Sequence, residues 1–406
     1  MAVSPRAGPT APTRGRVHLT IASALIPRHR PVTEVRHSRD TSLLELIGVS
    51  RMRTLGRAAL LGTLALITVA SASIGGVATA APARTASPLC QVADLLPSGS
   101  STGLGYQCAE AGELLDLPIG EVRATQPSLG YDEVYYKLGR YTLGKDEINK
   151  KFDDWCEANG QEEAASALPD ARLDNPSSFT CTVPVGQETP DTIAPMKTVV
   201  IGPGGVPYLT DGHHTLTSFY EMPDGGPNLH LRLRVVANLS DLSAADFWAR
   251  MQAEKWVWNY DVDGNEVPVE QLPAGVGLAK FQNDKYRSLT YFARDIGFAP
   301  GSIAFQEFYW GAWVRDSGAV DISGWDSNNM ASYLSTVESV SRAQVAAPKD
   351  AVIESGRTAA ELGALDAWND GKASTKGEFG KLSTPLSDDK PGKLAYALQY
   401  KMGLPK

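Results

Sequence analysis

Between Ala58 and Ala83 the chain carries no charged residue, and this run decides which part of it can form a folded domain. Arg53 and Arg57 precede it. An apolar stretch of Leu, Ile, Val and Ala leads to about Ala72, and small residues end in Ala78-Thr79-Ala80. A basic start, an apolar centre and an A-x-A site, in that order, are the parts of a secretory signal. Residues 52–80 are therefore expected to be a signal peptide cleaved after Ala80, and no Arg-Arg pair directs it to the twin-arginine route. The alternative is an uncleaved membrane anchor, since the run is long enough to span a bilayer, although its Ala-, Ser-, Gly- and Thr-rich second half is weakly apolar. The arginines stay inside in either case, so the C-terminal bulk faces outward. With cleavage the protein is secreted and has no stable membrane insertion. Residues 1–51, rich in Pro, Arg and His without a period, read as an over-extended start with Met52 as initiator, or as a disordered leader.

Setting aside the ten Arg and three acids of residues 1–80 leaves 28 basic and 43 acidic residues, a formal charge of −15. Such a surface repels phosphate backbones, so general nucleic-acid binding is disfavoured. All four cysteines, Cys90, Cys108, Cys156 and Cys181, follow the signal. An even count in an exported chain predicts two disulfides. Neighbour pairing is the simplest of the three arrangements, and no C-x-x-C spacing suggests a zinc or redox site.

Along the chain, residues 81–118 read as a Cys-bearing, loop-rich lead-in. A short strand is expected at Glu121–Thr125 and a helix at Tyr131–Tyr141, where Val134, Tyr135 and Leu138 have helical spacing. Within residues 142–195, Pro169, Pro176, Pro184 and Pro190 mark a polar insertion tied down by a disulfide. Two strands, 197–201 and 206–210, flank the turn Gly202-Pro203-Gly204-Gly205 and predict a hairpin. A helix then runs from His213 to Glu221. Leu229, Leu231, Leu233 and Val235 alternate with His230, Arg232 and Arg234, which predicts a half-buried strand with a cationic face. Ser243 to Asp246 is a capping pattern for a helix to about Trp258, and further helices are expected near 284–297 and 303–316. Residues 341–406 read as a polar, weakly structured C-terminal tail with one or two short helices.

Only three histidines follow the leader, and all lie within one strand–helix–strand unit. Gly212 permits a sharp turn into the helix, and Asp211 is placed to cap it. The helix start offers free N–H groups and a positive dipole end that suit phosphate. His213, His214 and Asp211 are thus the candidate catalytic residues, with His214 as general acid or base. Equally, Asp-Gly is a common turn and the histidines could be purely structural. No metal site is expected, because adjacent helical histidines point apart. Asp261 to Glu266 has Glu266 where a calcium loop needs Gly, so it reads as a turn. Asn238-Leu239-Ser240 is a glycosylation sequon.

Several motifs stand in a shared order: Thr125 to Gly130, Lys137, Val199 to Gly205, Asp211-Gly212-His213-His214, Phe247-Trp248, Tyr260-Asp261, Tyr286 to Leu289 and Glu307 to Trp310. In these the chain resembles the ParB-like nuclease family over about residues 119–340. The resemblance implies an α+β ParB/sulfiredoxin-like domain, here with additional C-terminal helices and the disulfide-tied insertion. It also implies that Gly212, His213 and His214 match a phosphate-gripping turn, with Thr215 standing where relatives carry Arg. Arg232, Arg234 or Lys137 are candidates to replace that charge. The ligand-binding set is then Gly212, Thr215, Lys137, Gln126, Arg232 and Arg287. The function implied is a nuclease or phosphohydrolase acting on a small phosphorylated ligand or nucleotide, with no cofactor indicated. The alternatives are a phosphotransferase resembling free-serine kinases, with Glu121 or Glu133 as base, and a non-catalytic binding module.

Overall fold

Four strands make the central sheet: β1 (Leu114–Pro118), β2 (Thr198–Gly202), β3 (Val206–Asp211) and β4 (His230–Asn238), in the spatial order β1-β4-β2-β3. The computed structural model describes residues 104–403, which fall in one unit, Ala80–Lys406. The expected leader, signal peptide and Cys90 lie outside the described residues. Among the described residues no helix is long and apolar enough to cross a membrane.

Burial explains the strand patterns. β2 is central, so Val199, Val200 and Ile201 are buried on both faces of the sheet. β4 buries Leu231, Leu233 and Val235 and leaves Arg232, Arg234 and Val236 partly open on the other face. β2 runs antiparallel to β3 and parallel to β4, with Thr198 opposite both Asp211 and Arg234. These three residues therefore form a row across the end of the sheet.

Among the described residues eight helices have eight or more residues: α1 (Tyr131–Leu143), α2 (Lys150–Ala158), α3 (His213–Glu221), α4 (Ala244–Ala253), α5 (Lys285–Phe292), α6 (Gln306–Ser317), α7 (Met330–Ala346) and α8 (Lys393–Lys401). One hydrophobic core joins the sheet to α1, α2 and α3 through Val134, Phe152 and Phe219. A second joins α5, α6, α7 and α8 through Leu289, Trp310, Tyr333 and Leu394. The insertion is tied as expected, by Cys156–Cys181 between α2 and the short ladder Ala164–Ala167/Phe179–Cys181. Cys108 is disulfide-bonded as well, and no described cysteine is free.

Three expectations are corrected. Residues 121–125 form a 3-10 turn (Ile119–Glu121) and a single bridge, Arg123 to Tyr208, in place of a strand. A ladder cannot extend there, because the Thr125 N–H donates to His213 and its carbonyl accepts from the Trp258 N–H. The helix after Ser243 stops at Ala253, where Lys255 turns left-handed at φ 58°. Nor are residues 341–403 a weakly structured tail. Ile353, Leu362, Phe379 and Leu394 are buried in the second core, and α8 lies along α1. Their contact is close at Gly139, where an added Cβ would stand 2.4 Å from the Tyr396 carbonyl oxygen. Lys401 on α8 pairs at 3.0 Å with Asp132, which also accepts from the Tyr333 hydroxyl at 2.9 Å.

Candidate functional site

β3 ends at Asp211, and Gly212 starts α3 with φ 102°. That conformation favours glycine, and a Cβ there would also strike the Lys197 side chain at 2.6 Å. No side chain caps α3. Asp211, expected as the cap, sits one residue too early; its exposed carboxylate lies 3.5 Å from Lys197 Nζ. The start of α3 is thus open to a cleft of about 630 Å³, to which Gly212, His213, His214 and Thr215 all contribute.

The two histidines point inward. His213 is 3% exposed, and its Nε2 accepts the Thr125 N–H at 3.1 Å. His214 is 8% exposed, and its Nε2 accepts the Gly130 N–H at 3.1 Å. A ring nitrogen that accepts is unprotonated, so both imidazoles are neutral with the proton on Nδ1. Burial pushes His213 down to about 3 against the opposing charge of Asp211. His214 is held well below the usual range by burial and by the Arg287 charge beside it. The pair clamps the helix start to the 125–130 segment. Gln126 also lines the cleft but donates its Nε2 to the Ser128 carbonyl at 2.7 Å.

Cationic groups meet there from several elements. Asp284 caps α5, its Oδ1 accepting the N–H groups of Tyr286 and Arg287 at 2.9 Å each, and so fixes where Arg287 begins. Arg287 is 4% exposed; its Nη2 lies 2.9 Å from Glu133 Oε2 and 3.8 Å from Glu307 Oε2. Its Nε and Nη1 are buried without a hydrogen-bond partner among the described residues, and Glu133 Oε2, despite the short contact, forms no aligned hydrogen bond. Arg294 neutralises Glu307; burial raises the Glu307 carboxyl, but Arg294 and Arg287 hold it below its ordinary value. Arg234, in the row with Thr198 and Asp211, also has a buried Nε without a partner and lines the cleft.

The remaining expected residues separate. Lys137 lines the cleft but pairs with Asp154 at 3.0 Å; burial works to lower its pKa, and Asp154 outweighs that and holds it raised. Arg232 pairs with Glu188 and is not part of the cleft wall, nor is His230, which pairs with Asp116 at 3.0 Å on the surface. Asp261 Oδ1 accepts the N–H groups of Asp263 and Asn265, so that segment is a side-chain-stabilised turn. Asn238 Nδ2 donates to the carbonyls of Gln107 and Ala109, which occupies the sequon nitrogen. Among the described residues no group of three or more His, Cys, Asp or Glu is arranged to hold a metal.

Sequence reasoning missed Lys197, Arg294 and Trp256 in the cleft wall. Lys197 was within reach, since it directly precedes Thr198, which pairs with Asp211 across the hairpin. Arg294 follows Arg287 by two helical turns, a weaker signal.

A family model described as "Putative ParB-like nuclease" matches residues 115–316. Among solved structures, the chain is similar to the crystal structure of protein Atu1540 from Agrobacterium tumefaciens, with 21% identity over 57% of this chain and 91% of that one, and a TM-score of 0.39. No curated protein matches the chain.

Proposed function

Because residues 115–316 belong to the ParB-like nuclease family, we propose that this chain is a nuclease-like phosphohydrolase whose cleft holds the phosphate of a small ester. The observation that carries the reading is Arg287: a buried guanidinium in the cleft wall with two N–H-bearing nitrogens left without partners among the described residues. Buried donors are nearly always satisfied, so such a group marks a place for an acceptor. Arg234 Nε and the uncapped start of α3 line the same cleft. A guanidinium fork and a helix start both suit a phosphate's oxygens. In this reading Arg287 replaces the arginine missing at Thr215, Gly212 and Thr215 contribute backbone N–H groups, and Lys137 and Lys197 add field.

Of the two carboxylates considered as base, Glu133 lines the cleft, whereas Glu121 accepts the Tyr106 hydroxyl. We assign Glu133 the general base. It takes a proton from water; the water oxygen bonds to phosphorus, the ester P–O bond breaks, and the proton passes to the departing alcohol oxygen. His213 and His214 shape the site in this reading, since their Nε2 lone pairs are committed to backbone N–H groups. The charge of −15 after residue 80 favours a small ester over a long polymer. We read the chain as secreted, which the Cys156–Cys181 disulfide supports.

Hydrolysis of p-nitrophenyl phosphate and bis(p-nitrophenyl) phosphate tests the assignment. Wild type is expected to turn over one of them, and Glu133→Gln to lose about 100-fold or more while still binding phosphate. Undiminished turnover by Glu133→Gln overturns the assigned base. Phosphate binding without turnover by wild type would favour a binding module.

A further inference from the structure

Trp256 differs from the other tryptophans of this chain. Each of the other seven among the eight, Trp155, Trp248, Trp258, Trp310, Trp313, Trp325 and Trp368, meets another aromatic ring. Trp256 forms no stacked, tilted or edge-on ring pair among the described residues; part of it packs on the small cluster of Val200, Phe247, Met251 and Val257, and it lines the cleft.

The backbone that positions it is specific. Glu254 is the C-cap of α4, and the Trp256 N–H donates to the Met251 carbonyl at 2.9 Å while the Lys255 N–H donates to the Gln252 carbonyl at 3.1 Å. This is the paired bonding of a Schellman helix end, whose left-handed position is usually glycine. Here Lys255 holds it, at φ 58°. A non-glycine residue accepts that conformation at some cost, and the turn delivers the indole to the cleft wall. Beside it, Val236 follows Arg234 by two residues on the same face of β4. The cleft therefore has an anion-binding end, at the start of α3 and Arg287, and a wall made of a lone indole and an aliphatic side chain.

We infer that Trp256 is a specificity-determining residue that stacks on a flat aromatic group of the ester, so the ligand class is an aromatic phosphomonoester. The inference rests on the phosphate reading above. Arg234 lies between the two ends, because the row Asp211, Thr198, Arg234 crosses the sheet from the start of α3 toward Val236. Stacking of an indole on a planar ring is tolerant of the ring's substituents, so Trp256 selects for aromaticity and leaves ring identity open.

Calorimetric titration of the full chain with phenyl phosphate and with glycerol 3-phosphate tests it, since both carry the same anionic group. Wild type is expected to bind phenyl phosphate about tenfold more tightly. Trp256→Ala should bring the two ligands to the same affinity, and Trp256→Phe should keep most of the preference. Far-ultraviolet circular dichroism and melting check that the variants fold, and the phenylalanine variant carries the test if the alanine variant does not. Equal affinities in wild type, or a preference unchanged in Trp256→Ala, overturn the stacking role while leaving the phosphate site standing. Binding of neither ligand overturns both.

Discussion

Arg287 Nη2 lies 2.9 Å from Glu133 Oε2 inside the cleft wall, yet Nε and Nη1 of the same guanidinium have no hydrogen-bond partner among the described residues. A purely structural ion pair would close such a group on all sides, because unsatisfied buried donors each cost about 1–3 kcal/mol. The Arg287 side chain is held by Glu133, Glu307 and the ring of Phe308, 5.5 Å from its Cζ, with part of its donor fork unused. That arrangement is preorganised: an incoming anion completes it without first breaking the pair with Glu133.

The histidines are expected to act on stability more than on chemistry. His213→Ala and His214→Ala each orphan a backbone N–H, of Thr125 and of Gly130 respectively. Each should lower stability by about 2 kcal/mol, seen as a lower urea midpoint. An unchanged midpoint would mean the clamp does not form.

Acid should weaken the fold through the same rings. His213 is pushed from its ordinary value of 6.5 to about 3, and His214 is shifted in the same direction. Above 6.5 both are neutral in the folded and unfolded states, and they add no pH dependence. Below 6.5 the unfolded chain takes up protons that the folded chain cannot, so stability falls with decreasing pH, for His213 until about 3 and by up to about 1.4 kcal/mol per unit, with His214 adding in the same direction. Urea midpoints at about pH 7.5, 5.5 and 4.5 should decline in that order, and the decline should be shallower in His213→Ala.

Gly139→Ala tests the packing of α8 on α1. The new methyl would stand 2.4 Å from the Tyr396 carbonyl oxygen, a backbone atom that cannot swing aside. Forcing the helices apart should cost about 1–3 kcal/mol, although alanine is the better helix former. A melting temperature equal to or above wild type would contradict the close contact.

Local chemistry was legible in the sequence, and assembly was not. The hairpin around Gly202 to Gly205, the start of α3 at His213 and the Ser243 cap all follow from turn and capping residues within a few positions. The inward direction of the His213 and His214 rings depends on Thr125 and Gly130, which arrive from a distant segment. Arg287 reads equally well as a group that neutralises phosphate charge or as half of a structural ion pair until α5 is laid against α1. α7 is hard to read because its buried Tyr333, Val337 and Val340 are separated by Ser335, Thr336, Glu338 and Ser339, which dilute the apolar stripe. The C-terminal stretch reads as polar because α8 buries the small Ala395 and Ala397 beside Leu394 and Leu398 and meets α1 closely where Tyr396 faces Gly139, so few large apolar groups are needed there.

Calorimetric titration of inorganic phosphate into wild type and Arg287→Lys tests the anion site most directly. Lysine keeps a positive charge facing Glu133 and Glu307, so the fold should persist, but it lacks the planar fork whose Nε and Nη1 are unpartnered. The expected result is phosphate binding by wild type that weakens by about 2 kcal/mol, roughly thirtyfold, in Arg287→Lys, with the melting temperature little changed. Equal affinity in the two proteins, or no phosphate binding by wild type, would contradict the assignment of Arg287 as the phosphate anchor.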